Sequence, residues 1–178
     1  MVIKLLFMKI VLLGFMGSGK STVGRFLAQF LGIEFADLDD YISEREKMNI
    51  SEIFKHHGEN YFRIQENKHL RILLKKKNIV IASGGGTPCF FNNMELIGKV
   101  SFSIYLKSDT HEILSRLYES GNKDSRPLLK NIRANNLKEF ISSSILEREK
   151  FYLKANLILN AKGKIPEEIA MEIVSKIK

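Results

Sequence analysis

The sequence predicts an α/β fold, a single three-layer domain over residues 1–178 built on a central parallel sheet. Three observations predict it. Short apolar, β-branched runs alternate with amphipathic stretches of helical length, the pattern of strands joined by crossover helices. The first of those runs, Ile10-Val11-Leu12-Leu13, opens directly into a glycine loop and then a helix. A chain of 178 residues supports one full core but is short for two.

The glycine loop is the most informative stretch. Gly14-Phe15-Met16-Gly17-Ser18-Gly19-Lys20-Ser21, followed by Thr22, fits G-x-x-x-x-G-K-[ST] at each fixed position. Glycines at these sites let successive backbone N–H groups converge on one point, and the following helix adds the positive end of its dipole. Lys20 has the reach for the β- and γ-phosphates of a nucleotide, and the Ser21 hydroxyl suits Mg2+. The loop therefore predicts binding of a nucleoside triphosphate.

The remaining elements follow in order. Gly32 stops the first helix, and Glu34-Phe35-Ala36 is a short strand leading into Asp37-Leu38-Asp39-Asp40. Asp37 and Asp39, two residues apart at a strand mouth, are expected to point the same way into the cleft above the sheet. A helix over 41–47 is expected next, for which one of these aspartates serves as a cap. Asn49-x-x-Glu52 is a capping box for a short helix closed by Gly58, and a longer helix runs from Glu59 to about Lys77 with Arg63 near its start. Asn78–Ala82 is a buried strand ending in Ser83-Gly84-Gly85-Gly86-Thr87-Pro88. Three glycines there imply that something approaches the backbone closely. No Asp ends this strand, so support for a metal falls to Asp37.

A helix over 92–97 and a strand over 100–106 come next, with Val100, Phe102, Ile104 and Leu106 expected on one face. Asp109-x-x-Glu112 is a second capping box, opening a helix that carries Arg116. Residues 119–132 turn polar and read as a lid containing Arg126-Pro127. A long helix from Asn136 to about Leu153 holds Arg148; a strand over 156–159 and a helix opened by Pro166 finish the chain.

Composition sets outer bounds. Apolar residues are 44% and charged residues 27%, which argues against disorder. The net charge of +8 favours anionic partners, but only Lys75-Lys76-Lys77 forms a run, and it falls at an expected helix end. A lone cysteine, Cys89, permits no internal disulfide and fits a reducing cytoplasm. The four histidines lack metal-site spacing. Lys4 and the apolar run after it look superficially like a signal peptide, but cleavage there would remove the first strand or the loop. No stretch has the ~20 apolar residues of a membrane span. Met8 reads as an alternative start, with residues 1–7 an N-terminal extension.

Taken together, these motifs resemble the shikimate kinase family of small-molecule P-loop kinases. The carriers are Gly14–Thr22, Asp37-Leu38-Asp39, Ile53-Phe54, Gly58-Glu59, Phe62-Arg63, Ser83–Thr87, Arg126-Pro127-Leu128-Leu129, and Arg148 with Tyr152. The resemblance implies a P-loop NTPase-type sheet of order 2-3-1-4-5, with a substrate-binding region over about 38–65 and a lid. It implies transfer of the ATP γ-phosphate to the 3-hydroxyl of shikimate by a cytoplasmic monomer, with Mg2+ and no nucleic acid or membrane partner. Gly17, Ser18, Gly19, Lys20, Ser21, Thr22, Arg116 and Arg126 would bind ATP; Ser21 and Asp37 would hold the metal. Asp39, Arg63, Gly84, Gly85, Gly86 and Arg148 would bind shikimate, with Lys20, Asp39 and Arg126 catalytic. Two departures stand out. Ala155-Asn156 follows Tyr152 one position early, so no contact is assigned to the turn 160–164, and Leu38 separates the aspartates where Thr or Ser is frequent. Other readings of the residues are a P-loop kinase acting on gluconate or a nucleoside monophosphate, and a non-catalytic NTP-binding regulatory module.

Overall fold

In a computed structural model of the chain, which describes residues 8–119, 129 and 132–177, five parallel strands form one sheet. They are β1 (Lys9–Leu13), β2 (Glu34–Asp37), β3 (Ile79–Ala82), β4 (Phe102–Lys107) and β5 (Leu157–Asn160). Their order is β2-β3-β1-β4-β5, the 2-3-1-4-5 arrangement expected. The central strand β1 pairs Ile10 with Val80 on one side and Phe102 on the other, while Asp37 at the end of β2 aligns with Ala82.

Alternation along β1 divides the core into two layers. Ile10 and Leu12 face α1 (Lys20–Leu31) and α7 (Pro166–Ile177), packing with Val23, Leu27, Ile169 and Ile173. Val11 and Leu13 face the other way, toward α2 (Leu38–Glu46), α3 (Ile50–Leu73), α4 (Asn93–Val100) and the Tyr152 end of α6 (Ala134–Tyr152). A third cluster joins Phe15 of the loop to α5 (Thr110–Glu119), α6 and Leu129. With helices on both faces, β1 and β3 are almost wholly buried, which is why their sequences read as unbroken apolar runs.

Several boundaries differ from expectation. The second helix begins at Leu38, not Tyr41, because β2 runs into it without a loop and Asp37 itself is the N-cap. The Asn49–Glu52 capping box forms in both directions. Gly58, at φ 80° and ψ 172°, breaks α3 as expected, but the helix ends at Leu73 rather than near Lys77. The basic run therefore lies past the helix, where Lys76 pairs with Glu34. Val100 ends α4 and is exposed, leaving Ile104 and Leu106 as the buried members of the expected stripe. Asp109 caps α5 through the Glu112 N–H at 2.9 Å, whereas the Glu112 carboxylate reaches the Gly163 N–H at 2.8 Å. The expected lid over 119–132, including Arg126, and the extension over 1–7 lie almost entirely outside the described residues. Among the described residues, no helix is long and apolar enough to cross a membrane.

Candidate active site

At the C-terminal ends of β1, β2 and β3 lies a cleft of about 680 Å3, the place where open α/β sheets bind ligands. The loop between β1 and α1 forms one wall. Gly17, Gly19, Lys20, Ser21 and Thr22 line it, while Ser18 is buried just behind. The Lys20 ammonium curls back on its own loop, donating to the carbonyls of Gly14 (2.9 Å) and Phe15 (2.8 Å). Arg116, on α5, donates to the Gly17 carbonyl at 3.3 Å and borders the same wall.

The acidic corner sits opposite. Asp37 accepts from Ser21 Oγ at 2.5 Å through one carboxylate oxygen and from the Asp39 N–H at 3.0 Å through the other. Both aspartates line the cleft, although not by strand alternation as expected: Asp37 ends a strand and Asp39 lies in the first helical turn after it. Asp40 borders the cleft too, and burial, followed by the neighbouring charge of Asp37, raises its pKa above the usual aspartate value. A hydroxyl and a carboxylate in contact form an all-oxygen donor set, the kind that a hard cation such as Mg2+ takes together with phosphate oxygens and water. The residues present fit that ion.

The far wall carries the arginines. Arg63 is 5% exposed, a burial that a guanidinium tolerates only when paired. Its Nη1 donates to Glu66 at 2.9 Å, and its Nε and Nη2 donate to Glu59 at 3.1 and 2.9 Å. A guanidinium has five N–H donors, so two remain, one on each Nη, which suits one further planar acceptor. Arg148, from α6, holds its Nη1 buried with no hydrogen-bond partner among the described residues. An unsatisfied buried donor is costly, so a site of this kind favours an anionic ligand.

The triple glycine now has a steric explanation. A methyl at Gly84 would lie 2.8 Å from Glu66 Oε1 and 3.0 Å from Asp39 Oδ1, and one at Gly85 would crowd the Met16 N–H at 3.1 Å. At Gly86 it would meet both Nη atoms of Arg63 at 2.8 Å. The run thus lets the acidic corner, the nucleotide loop and the arginine close on one strand end. The Tyr152 hydroxyl holds it from behind, donating to the Gly85 carbonyl at 2.5 Å, and burial raises the pKa of that phenol well above its ordinary value.

Glu66 and its contact with Thr87 escaped the sequence reading. Glu66 is fully buried and accepts from Thr87 Oγ1 at 2.6 Å as well as from Arg63. The signal was present: Glu66 interrupts the Phe62–Leu70–Leu73 stripe of α3, and a charge on an apolar stripe requires a partner. Thr87 carried no comparable sign.

The family model described as shikimate kinase matches residues 16–178. The chain belongs to the shikimate kinase family. A shikimate kinase of Azobacteroides pseudotrichonymphae is 39% identical over 170 residues, covering 95% of this chain and 99% of the relative. One from Sulfurihydrogenibium sp. is 41% identical over 169 residues, covering 95% and 97%. The structure of the Acinetobacter baumannii shikimate kinase in complex with shikimate superposes with a TM-score of 0.89 at 31% identity, over 96% of this chain and 93% of that one.

Proposed function

We propose that this chain transfers the γ-phosphoryl group of ATP to the 3-hydroxyl of shikimate, giving shikimate 3-phosphate and ADP. The observation that carries the reading is the meeting, in one cleft, of a nucleotide loop with two arginines that retain donors for an anion. A phosphoryl donor alone needs the first; a carboxylated acceptor needs the second.

In this reading the N–H groups of Gly17, Ser18, Gly19, Lys20, Ser21 and Thr22 cradle the ATP phosphates, and Lys20 swings from its loop carbonyls to neutralise their charge. Ser21 and Asp37 hold Mg2+, which supplies charge neutralisation and orientation of the phosphate oxygens. Arg116 packs on the adenine. Arg63 and Arg148 grip the shikimate carboxylate, a planar group that suits a guanidinium fork better than the point charge of lysine. Gly84, Gly85 and Gly86 let the acceptor approach the backbone, within a substrate-binding region over about 38–65. Asp39 orients the 3-hydroxyl and receives its proton as the oxygen attacks the γ-phosphorus and the bond to the β–γ bridging oxygen breaks. Arg126, on a lid over about 119–132, closes over the transferred group; its role rests on the family resemblance alone. The monomeric state rests on the family resemblance alone, and an ATP-dependent reaction with a single free thiol suits the cytoplasm.

The test is an ADP-release assay with Mg-ATP against shikimate, gluconate and nucleoside monophosphates. Turnover with shikimate alone is expected. Turnover with gluconate or a nucleotide and none with shikimate would overturn the assignment.

A further inference from the structure

Arg63 is held along its edges by Glu59 and Glu66, but edges alone do not fix the plane of a guanidinium. Glu59 keeps 44% of its side chain exposed, so its grip is screened by water, while Glu66 is buried and holds a single Nη. The face of the group is covered by Phe90, whose ring centroid lies 4.1 Å from Arg63 Cζ; Phe62 contributes a looser contact at 5.1 Å. Gly86 closes in on the same two Nη atoms, which leaves the guanidinium enclosed.

The chain goes to some length to put Phe90 there. It follows the 3-10 turn Thr87–Cys89 in extended conformation, and the next residue, Phe91, adopts φ 49°. The left-handed region is a strained one for a bulky aromatic. Phe91 is 59% exposed, so burial of its own ring does not compensate. The reversal carries Phe91 outward while Phe90 lies half-buried against the arginine.

We infer that Phe90 is a positioning residue for the acceptor: its ring fixes the plane of Arg63 so that the two remaining N–H groups meet the acceptor carboxylate together. This inference rests on the reading of Arg63 as part of the carboxylate clamp. An aromatic face attracts a guanidinium and excludes water from it, and both effects strengthen the fork's remaining hydrogen bonds. A leucine fills similar space without the quadrupole and lets the guanidinium tilt.

The test compares unaltered chain, Phe90→Leu and Phe90→Tyr in steady-state assays with shikimate and Mg-ATP, with thermal melting of each. Phe90→Leu is expected to raise the shikimate KM by about 3- to 20-fold, the range a cation–π contact of this kind supplies. The ATP KM is expected to stay within twofold, as roughly no contact with the nucleotide wall is lost. Phe90→Tyr, which keeps the aromatic face, should restore the unaltered shikimate KM. An unchanged shikimate KM in Phe90→Leu would overturn the role. So would an equal rise in Phe90→Tyr, or a parallel rise in the ATP KM, since each would mark a general packing defect. If the unaltered chain itself failed to turn over shikimate, the functional reading would fall first and this role with it.

Discussion

Two positions show how one side chain, or its absence, sets the chemistry. Lys20 is 8% exposed and its ammonium donates to loop carbonyls, so under the proposed function the nucleotide phosphates compete with those carbonyls for it. Lys20→Met keeps the length and loses the charge; turnover is expected to fall at least 100-fold, by roughly the worth of one charge-stabilising contact in phosphoryl transfer. Substantial activity in a single-turnover assay would show that the loop is not the catalytic wall. Gly86 makes the opposite point. Its φ of −93° is open to any residue, so backbone freedom does not explain it. A methyl would press on the Arg63 Nη atoms, and Glu59, Glu66 and Phe90 leave the guanidinium little room to retreat. Overpacking of this sort costs about 1–3 kcal/mol. Gly86→Ala is therefore expected to raise the shikimate KM by about tenfold while the ATP KM holds, and a uniform loss of both would contradict the steric account.

At the scale of elements, the sequence exposes what is local and hides what is reciprocal. Capping at Asn49, the stop at Gly32 and the break at Gly58 depend on residues within one turn, and each was legible. The start of α2 differs from expectation because Asp37 both ends a strand and caps a helix, and nothing in Asp37–Asp40 says which aspartate takes the cap. Glu112 departs from the expected capping box for a similar reason: its partner, Gly163, lies 51 residues away. The packing of α2 on α3 was equally invisible, and it contains a titratable group. His69 is buried on α3 against the edge of Tyr41, 3.8 Å from Glu46, and neither ring nitrogen has a hydrogen-bond partner among the described residues. Burial lowers its pKa below the ordinary 6.5, helped by the nearby charges of Lys68 and Arg45 and opposed by Glu46. With the folded value below the unfolded one, the unfolded chain takes up the proton first as pH falls. Stability is thus expected to decline as pH drops through the unfolded value toward the folded one. His69→Phe keeps a ring and removes the proton site. Its urea midpoint should fall less than that of the unaltered chain between about pH 7.5 and about pH 5.5, a window spanning the histidine range. Equal declines would place the pH sensitivity elsewhere.

For the whole molecule, the strand order and both core layers follow from alternation and crossover rules, which act along the chain and are visible in it. The cleft does not follow so simply, because its residues come from the loop after β1, the start of α2, α3, the turn after β3, α5 and α6. The glycine loop announces its wall by motif alone. Arg148 is one of many exposed-looking basic residues in sequence, and only folding brings its buried Nη1, without a hydrogen-bond partner among the described residues, to the cleft. A ligand spanning that cleft ties together segments that otherwise meet only through the sheet. Ligands that bind the folded state alone stabilise it by about 2.7 kcal/mol at 100 times their dissociation constant. For a chain of this size that amounts to a rise in melting temperature of roughly 5–10 °C. Under the proposed function Mg-ADP and shikimate occupy different walls, so each should raise the midpoint. Arg148→Lys replaces a fork by a point charge, so it is expected to lose most of the shikimate shift and keep that of Mg-ADP. Calorimetry with each ligand separately decides it: a full shikimate shift in Arg148→Lys would remove Arg148 from the acceptor wall, and loss of both shifts would make its role one of folding.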